Sequence, residues 1–199
     1  YLYPYQVLVE EGKAESMMAA YNRLNGVPCA GNKYLLTGIL RGEWGFTGSV
    51  VTDCNGIKDL FDGHNYVQNV QEAIALALNA GIDMECGDYF KTYLPEVVES
   101  GMVSEETINT AVKRLFLSRF KLGLYDPPEL VPYNQIPLSI MDGAEHRALA
   151  RETARQAIIL LKNENDILPL VKSEINSIAV IGPTADICEM GGYTGAVSV

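Results

Sequence analysis

The sequence predicts an α/β fold whose centre is a short parallel sheet covered by helices. Three apolar stretches typical of strands begin near residues 16, 49 and 82, and a helical pattern separates each from the next. This spacing is typical of one βα unit, and right-handed crossovers would make the strands parallel neighbours. Three parallel strands leave open edges, so we expect either further strands before residue 1 or a small open sheet. We favour a fragment of a barrel.

The first two strands and the helix between them follow from local patterns. Residues 14–21 predict a buried strand. Residues 49–52 form a β-branched run without polar alternation, which indicates a strand buried on both faces. Asn32 is placed to cap the intervening helix. Apolar residues at helical spacing predict its buried face: Leu35, Leu36, Ile39 and Leu40.

The third strand, residues 82–87, lies between two further predicted helices. The helix before it ends at Gly81, a residue suited to a C-cap, and has an apolar stripe of Val70, Ala73, Ile74, Ala77 and Leu78. The helix after it is capped by Ser104, ends near Gly123 and is expected to bury Ile108, Ala111, Val112, Leu115 and Phe116. These units place one α/β domain over residues 1–124.

A change of composition after residue 124 predicts a linker and a second domain. Residues 125–137 contain four prolines and no helical period, so we assign residues 125–142 to an extended interdomain linker. Asp142 and Glu145 have the spacing of a capping box before a helix that extends to Leu161. Residues 175–181 predict a strand that ends at Gly182. Residues 143–199 are therefore expected to begin a second α/β domain that is incomplete here.

Bulk properties exclude several classes of partner. The net charge is −10 with scattered Lys and Arg, which argues against nucleic acid as a partner because phosphate binding needs a basic patch. No apolar run approaches the roughly 20 residues of a membrane span, and the first residues do not resemble a signal peptide. The chain does not begin with Met, so localisation stays open.

Metal binding is not expected. The four cysteines, Cys29, Cys54, Cys86 and Cys188, form no CxxC pair, and the two histidines, His64 and His146, lack ligand spacing. Disulfides or free buried thiols are the open alternatives for the cysteines. We expect no metal and no organic cofactor.

Polar residues follow the predicted strands where catalytic sites of such folds lie. Tyr21, Asp53 and Glu85 would converge at one edge, because adjacent strands are about 4.8 Å apart. Asp53 is either a helix N-cap or a catalytic carboxylate, and a neighbouring Tyr hydroxyl could keep it ionised. Retaining glycoside hydrolysis needs two carboxyl groups about 5–5.5 Å apart. Glu85 could be the second, or could bind a sugar hydroxyl or cap a turn.

Five stretches resemble glycoside hydrolase family 3 and cover nearly the whole chain in the family's order. They are SMMAAYNRLNGVP (16–28), LRGEWGFTG (40–48), VVTDC (50–54), AGIDMECG (80–87) and LLKNENDILPL (160–170). The resemblance implies that residues 1–124 are the C-terminal part of a (β/α)8 barrel that holds its last three strands. It also implies that residues 143–199 begin an α/β sandwich domain.

The resemblance also implies roles for individual residues. Asp53 matches the family's catalytic nucleophile, and Tyr21 matches the aromatic hydroxyl beside it. The acid/base Glu of the family comes from the second domain beyond residue 199, so Glu85 is expected to contribute to substrate binding rather than to proton transfer. Met18 is expected to border the sugar site.

The residue after the nucleophile points to a subgroup. Members acting on glucosides mostly have Trp there, whereas Cys54 is similar to β-xylosidase-like members, which share a second Cys at the position of Cys86. The resemblance implies a disulfide between Cys54 and Cys86 that crowds the place of a hexose hydroxymethyl group and favours a pentose. Such a bridge would favour a secreted or periplasmic location. Cys29 is then a lone buried thiol, and Cys188 has no assignable partner.

The expected function is therefore a retaining, exo-acting β-D-xylosidase that acts on xylo-oligosaccharides. Alternatives within the family are a β-glucosidase and an α-L-arabinofuranosidase. From another class, a non-catalytic carbohydrate-binding or scaffold fragment stays open. The expected partners are an oligosaccharide substrate and either the remaining portions of the same protein or a second copy of it.

Overall fold

The computed structural model describes residues 1–187, 190, 191 and 193, and the chain divides into two compact units, residues 1–137 and 138–199. The first unit contains a parallel three-stranded sheet in the order β1 (Ser16–Ala19), β4 (Ser49–Cys54), β5 (Met84–Cys86). Between β1 and β4 lies an antiparallel hairpin of β2 (Arg23–Leu24) and β3 (Val27–Pro28). The predicted α/β class and parallel strand order are confirmed.

The register of the sheet reproduces the repeat seen in the sequence. Ser16 pairs with Ser49, 33 residues away, and Val51 pairs with Met84 at the same separation. Between Val51 and Cys54 the register shifts, so that Cys54 lies opposite Cys86, 32 residues away. The shift leaves one extra residue on β4 between Val51 and Cys54, which is the geometry of a β-bulge. Asp53 lies within this bulge.

Helices cover one face of the sheet. The first unit contains α1 (Tyr3–Glu10), a π-type helix (Tyr34–Glu43), the single turn α2 (Gly56–Lys58), a second π-type turn (Asp59–Gly63), α3 (Val70–Ala80), α4 (Tyr89–Glu99) and α5 (Glu105–Lys121). Val50 and Thr52 of β4 are buried against this layer. The core is completed by side chains such as Ile57, Leu60, Ile74, Ala77, Ile82 and Val97.

The opposite face of the sheet is partly open. Met18, Val51 and Met84 are in register across the three strands, and 55% of Met18 and 41% of Met84 is exposed. Ser49, Val50 and Thr52 are buried and Val51 is half-buried, so the predicted burial of residues 49–52 on both faces is incomplete only at Val51, because the described residues supply helices to one face.

Local signals placed three helix ends of the first unit correctly. Asn32 accepts a hydrogen bond from the Leu35 N–H at 3.0 Å, and Ser104 Oγ accepts one from the Thr107 N–H at 3.1 Å. Gly81 ends α3 with φ of 114°, a conformation that glycine adopts without strain. The sequence analysis missed α4, which contains Pro95 in its interior. Val112 and Phe116 of α5 are more exposed than predicted.

Asp83 joins β4, β5 and two helices through one buried carboxylate. Its Oδ2 accepts hydrogen bonds from the Val50 N–H at 2.8 Å and from Arg41 Nη2 at 2.6 Å, and its Oδ1 accepts one from Arg114 Nη1 at 2.9 Å. The Asp83 side chain is fully buried. Burial lowers the pKa of Arg41 from its ordinary value, and the attraction of Asp83 opposes that shift.

The second unit differs from its prediction in two places. Helix α6 (Ala144–Ala157) has no side-chain cap at Gly143, because Asp142 instead forms an ion pair with Arg147, and the helix ends four residues before Leu161. Residues 175–181 form no strand, since no described residue of 138–193 offers a strand to pair with. Short 3₁₀ turns complete both units: Pro128–Leu130, Pro132–Gln135, Leu138–Ile140, Glu164–Asp166 and Lys172–Glu174.

Replacing Asp83 tests its role in the sheet. We expect Asp83→Asn to lower the free energy of unfolding by about 3–5 kcal/mol, because two guanidinium groups then lose a buried counter-charge. Chemical denaturation of the complete protein measures this. The matched control is Asp62→Asn, whose exposed pair with Lys58 predicts a change below about 1 kcal/mol. Equal effects of the two substitutions would contradict the assignment.

Candidate active site

The candidate site lies where β1, β4 and β5 end. Because parallel strands have their carboxyl ends at one edge of the sheet, the residues that follow them are neighbours. Tyr21 lies two residues after the end of β1, Asp53 is the next-to-last residue of β4, and Cys86 is the last residue of β5. The structure therefore brings Tyr21, Asp53 and Cys86 to one edge of the sheet, whereas the Glu85 side chain bonds the start of α4.

The backbone around Asp53 is fixed on both sides of the bulge. The Thr52 hydroxyl accepts a hydrogen bond from the Cys86 N–H at 3.1 Å, and the Asn55 N–H donates to the Cys86 carbonyl at 2.8 Å. Asn55 is left-handed, with φ of 63°, and turns the chain into α2. A Cβ at Gly56 would lie 3.0 Å from Thr52 Cβ, so the close turn favours glycine.

The Asp53 carboxylate is partly exposed and is held by its own turn. Its Oδ1 accepts a hydrogen bond from the Cys54 N–H at 2.7 Å. The sequence left open whether Asp53 caps a helix, and the bond to the next residue's N–H in a strand bulge is not an N-cap contact, which runs to the second or third helical residue.

Tyr21 is held next to the nucleophile turn. Its hydroxyl donates a hydrogen bond to the carbonyl oxygen of Cys54, the residue after Asp53. The side chain stays 45% exposed, so its ring forms part of the surface around the strand ends. A phenol at this place links the loop after β1 to the turn after β4.

Cys54 and Cys86 are joined by a disulfide in this structure, with their Cα atoms 4.4 Å apart. The register shift in β4 is what sets these residues opposite one another. The bridge begins at the residue after Asp53 and links the ends of β4 and β5 covalently. Cys29 is a buried free thiol whose pKa is raised by burial, and Cys188 lies outside the described residues.

Glu85 is engaged with a helix rather than with the strand ends. Its Oε2 accepts a hydrogen bond from the Phe90 N–H at 2.6 Å, at the start of α4. Burial raises the pKa of Glu85, and the N–H groups of Phe90 and Tyr89 partly offset the shift. The other oxygen is buried, without a hydrogen-bond partner among the described residues. A contact of Glu85 with substrate stays a prediction, as does that of Met18, which lies on the partly open sheet face.

Two side chains that the sequence analysis did not assign to the site lie beside Tyr21. His64 Nε2 is 2.6 Å from the Tyr21 carbonyl oxygen, and Arg23 Nε donates to His64 Nδ1 at 3.2 Å. Histidine was considered only as a metal ligand, and its separation of 43 residues from Tyr21 gave no local signal. The pairing can be seen only in three dimensions.

The described residues contain neither a metal-binding cluster nor a helix that could cross a membrane. In the ranges 1–187, 190, 191 and 193, no group of three or more His, Cys, Asp or Glu residues is arranged to hold a metal ion. Within the same residues, every helix is too short or too polar to cross a membrane.

Relatives of known name match nearly all of this chain. Probable beta-D-xylosidase 7 of Arabidopsis thaliana is 37% identical over 195 residues, covering 96% of this chain and 25% of the relative. Xylan 1,4-beta-xylosidase of Xylanibacter ruminicola is 41% identical over 198 residues, covering 98% of this chain and 23% of the relative. The chain thus spans about a quarter of the length of these relatives.

Solved structures show the same likeness. The GH3 exo-beta-xylosidase XlnD, in complex with a xylobiose aziridine probe, matches with a TM-score of 0.77 and 32% identity, over 86% of this chain and 22% of that one. A beta-glucosidase from Listeria innocua matches with a TM-score of 0.73 and 29% identity, over 86% of this chain and 24% of that one.

Family-level models match both parts of the sequence. The Glycosyl hydrolase family 3 N terminal domain matches residues 1–117, and the Glycosyl hydrolase family 3 C-terminal domain matches residues 158–199. The first match alone covers more than half of the 199 residues, and it contains both the bulge with Asp53 and the disulfide beside it. The chain therefore belongs to glycosyl hydrolase family 3.

Proposed function

We propose that this chain is the nucleophile-bearing part of a retaining, exo-acting β-xylosidase. The observation that carries the proposal is the position of Asp53, whose carboxylate lies in a bulge at the carboxyl end of β4 beside the Cys54–Cys86 bridge. The β-xylosidase names of the relatives at 37–41% identity support the same substrate class. The substrate is then a xylo-oligosaccharide that loses one xylose from its non-reducing end.

The proposed reaction uses Asp53 as a nucleophile. Because Oδ1 accepts the Cys54 N–H, Oδ2 is the oxygen that attacks the anomeric carbon and forms a glycosyl-enzyme ester. A carboxylic acid from outside residues 1–199 protonates the departing glycosidic oxygen. The resulting carboxylate then takes a proton from water, which attacks the anomeric carbon and releases Asp53. The two inversions retain the β-configuration.

We extend the proposal to the fold of the complete catalytic domain. The three parallel strands have open edges, and the face with Met18, Val51 and Met84 is partly exposed. A (β/α)8 barrel would pair both edges and turn this face into the barrel interior. The relatives are about four times as long as this chain, which is enough for the remaining strands. The domain limits of 1–124, 125–142 and 143–199 belong to this proposal.

The Cys54–Cys86 bridge supports a pentose as the bound sugar. A disulfide next to the nucleophile takes up room that the hydroxymethyl group of a hexose would need, whereas xylose lacks that group. Within the family, a β-glucosidase is the main competitor, because β-glucosidases are among the structural neighbours. An α-L-arabinofuranosidase is the second, since a Medicago relative at 37% identity is named for both activities.

The identity of the nucleophile can be tested by covalent labelling. We expect a 2-fluoro-xyloside inactivator to leave a pentosyl ester on Asp53 in the complete protein, found by mass spectrometry of the labelled peptide. Asp53→Asn should lower kcat/KM by at least about 10³-fold, because the amide cannot form the ester intermediate. Asp62→Asn, the same substitution at an exposed position nearby, serves as the control and should label normally.

The outcomes of the labelling separate the competing functions. A label on another residue would contradict the assignment of Asp53. Labelling by the 2-fluoro-glucoside alone would keep the mechanism and overturn the pentose proposal. The absence of any label, with sugar binding retained, would favour a carbohydrate-binding or scaffold role.

Removing the disulfide tests its part in sugar selection. We expect the Cys54→Ala/Cys86→Ala double variant to lower the ratio of kcat/KM for xyloside over glucoside by about tenfold or more, since room for one hydroxymethyl group is gained. Nitrophenyl glycosides give both rates. The loss of the cross-link should also cost about 2–4 kcal/mol of stability, so the assay is run well below the unfolding temperature.

The control for the cysteine pair is Cys29→Ala, which removes a buried free thiol and leaves the Cys54–Cys86 bridge intact. This variant should keep the wild-type ratio of the two rates. An unchanged ratio in a folded double variant would show that the bridge does not select the sugar.

A further inference from the structure

We infer that His64 is a positioning residue of the active site, because it holds the main chain of Tyr21 next to the nucleophile turn. This inference rests on the proposed function, which it deepens by adding a residue that acts through Tyr21. His64 follows the second π-type turn, which ends at Gly63, whereas Tyr21 follows β1. The contact therefore joins the loops after two neighbouring strands.

The imidazole ring contacts three side chains or carbonyl groups. Nε2 lies 2.6 Å from the Tyr21 carbonyl oxygen and 3.0 Å from Asp59 Oδ2. Nδ1 lies 3.2 Å from Arg23 Nε. The His64 side chain is 20% exposed and that of Asp59 is 31% exposed, so the ring lies half-buried among its partners.

The partners fix the protonation of the ring. A guanidinium group has only donors, so Arg23 Nε–H must donate to Nδ1, which therefore has no proton. Nε2 then faces two acceptors, the Tyr21 carbonyl and the Asp59 carboxylate. In this arrangement Nδ1 accepts from Arg23, and Nε2 is the nitrogen that donates to the Tyr21 carbonyl oxygen.

Arg23 fixes the orientation of this ring. Besides the bond to Nδ1, its Nη2 donates to the His64 carbonyl oxygen at 2.7 Å, and its guanidinium carbon lies 5.9 Å from the centre of the Tyr66 ring. A planar group with several donors can make these contacts together, which a lysine cannot. Arg23 begins β2, directly after the loop that contains Tyr21, so the loop is closed on itself through His64.

Two bonds thus hold Tyr21 from opposite ends. The main-chain carbonyl accepts from His64, and the phenol donates to the Cys54 carbonyl beside Asp53. Without the first bond, the loop after β1 can move relative to β4, and the phenol loses its fixed distance from the nucleophile turn. Small displacements of groups around a reacting centre reduce rates strongly.

A purely local role for His64 is the competing explanation. Its Nε2 also contacts Asp59 within its own loop, so the residue could stabilise that loop alone. The two explanations differ in their dependence on Tyr21. If His64 acts through Tyr21, its replacement has little effect once the phenol is gone. If it acts on its own loop, the two effects multiply.

The test compares two amides at position 64 in the complete protein. We expect His64→Asn to lower kcat/KM for a nitrophenyl xyloside about tenfold or more, because its amide lies near the place of Nδ1 and is too short to reach the Tyr21 carbonyl. His64→Gln places an amide N–H near the place of Nε2 and should recover most of that loss. The control is His146→Asn, at the exposed second histidine, which should leave the rate unchanged.

The double variant decides between the explanations. In the Tyr21→Phe background, we expect His64→Asn to change kcat/KM by less than about threefold, against the tenfold effect with Tyr21 present. Multiplying effects, or equal losses for Asn and Gln, would overturn the inference while xyloside hydrolysis by the wild type stays intact. If the wild-type protein hydrolyses no xyloside and takes no label on Asp53, the proposed function itself has failed, which is a separate result.

Discussion

The buried carboxylate of Asp83 is the constraint on which the sheet depends. It forms ion pairs with Arg41 and Arg114 and accepts a hydrogen bond from the Val50 N–H. The main-chain N–H of Asp83 donates to the Val50 carbonyl at 2.8 Å. A buried charge is tolerated only when its partners are in place. The pairing of β4 with β5 and the packing of the two helices that contain Arg41 and Arg114 therefore depend on each other. These bonds fix the register at the start of the two strands, and that register sets the position of Asp53 along β4.

The bulge at the other end of β4 positions the residues of the candidate active site. One extra residue shifts the register of β4, so that Cys54 lies opposite Cys86 and forms a disulfide with it. The Asp53 carboxylate accepts a hydrogen bond from the Cys54 N–H. Tyr21, which follows the neighbouring strand β1, donates a hydrogen bond to the Cys54 carbonyl in this turn. The strands fix the position of Asp53, and contacts between loops fix the positions of the groups around it. This division is typical of folds whose chemistry lies at strand ends.

Sequence by itself determined the order of the units in the first 137 residues. The strand spacing, the caps at Asn32 and Ser104 and the C-cap at Gly81 are local signals, because each depends on a few neighbouring residues. Motifs around Asp53 identified the family. Two signals failed in the second unit. Residues 175–181 have no strand to pair with among the described residues, and Asp142 pairs with Arg147, five residues further on, instead of capping the helix.

Only the tertiary structure decided how the site is held. No spacing in the sequence shows the register shift in β4, since a bulge depends on which residues of the partner strand face it. The contact of His64 with Tyr21 spans 43 residues, and the bond of Arg114 with Asp83 spans 31. Hydrogen bonds over such distances depend on the path of the whole chain. The sequence therefore determined which groups reach the strand ends, and the packed fold determined their orientation and their partners.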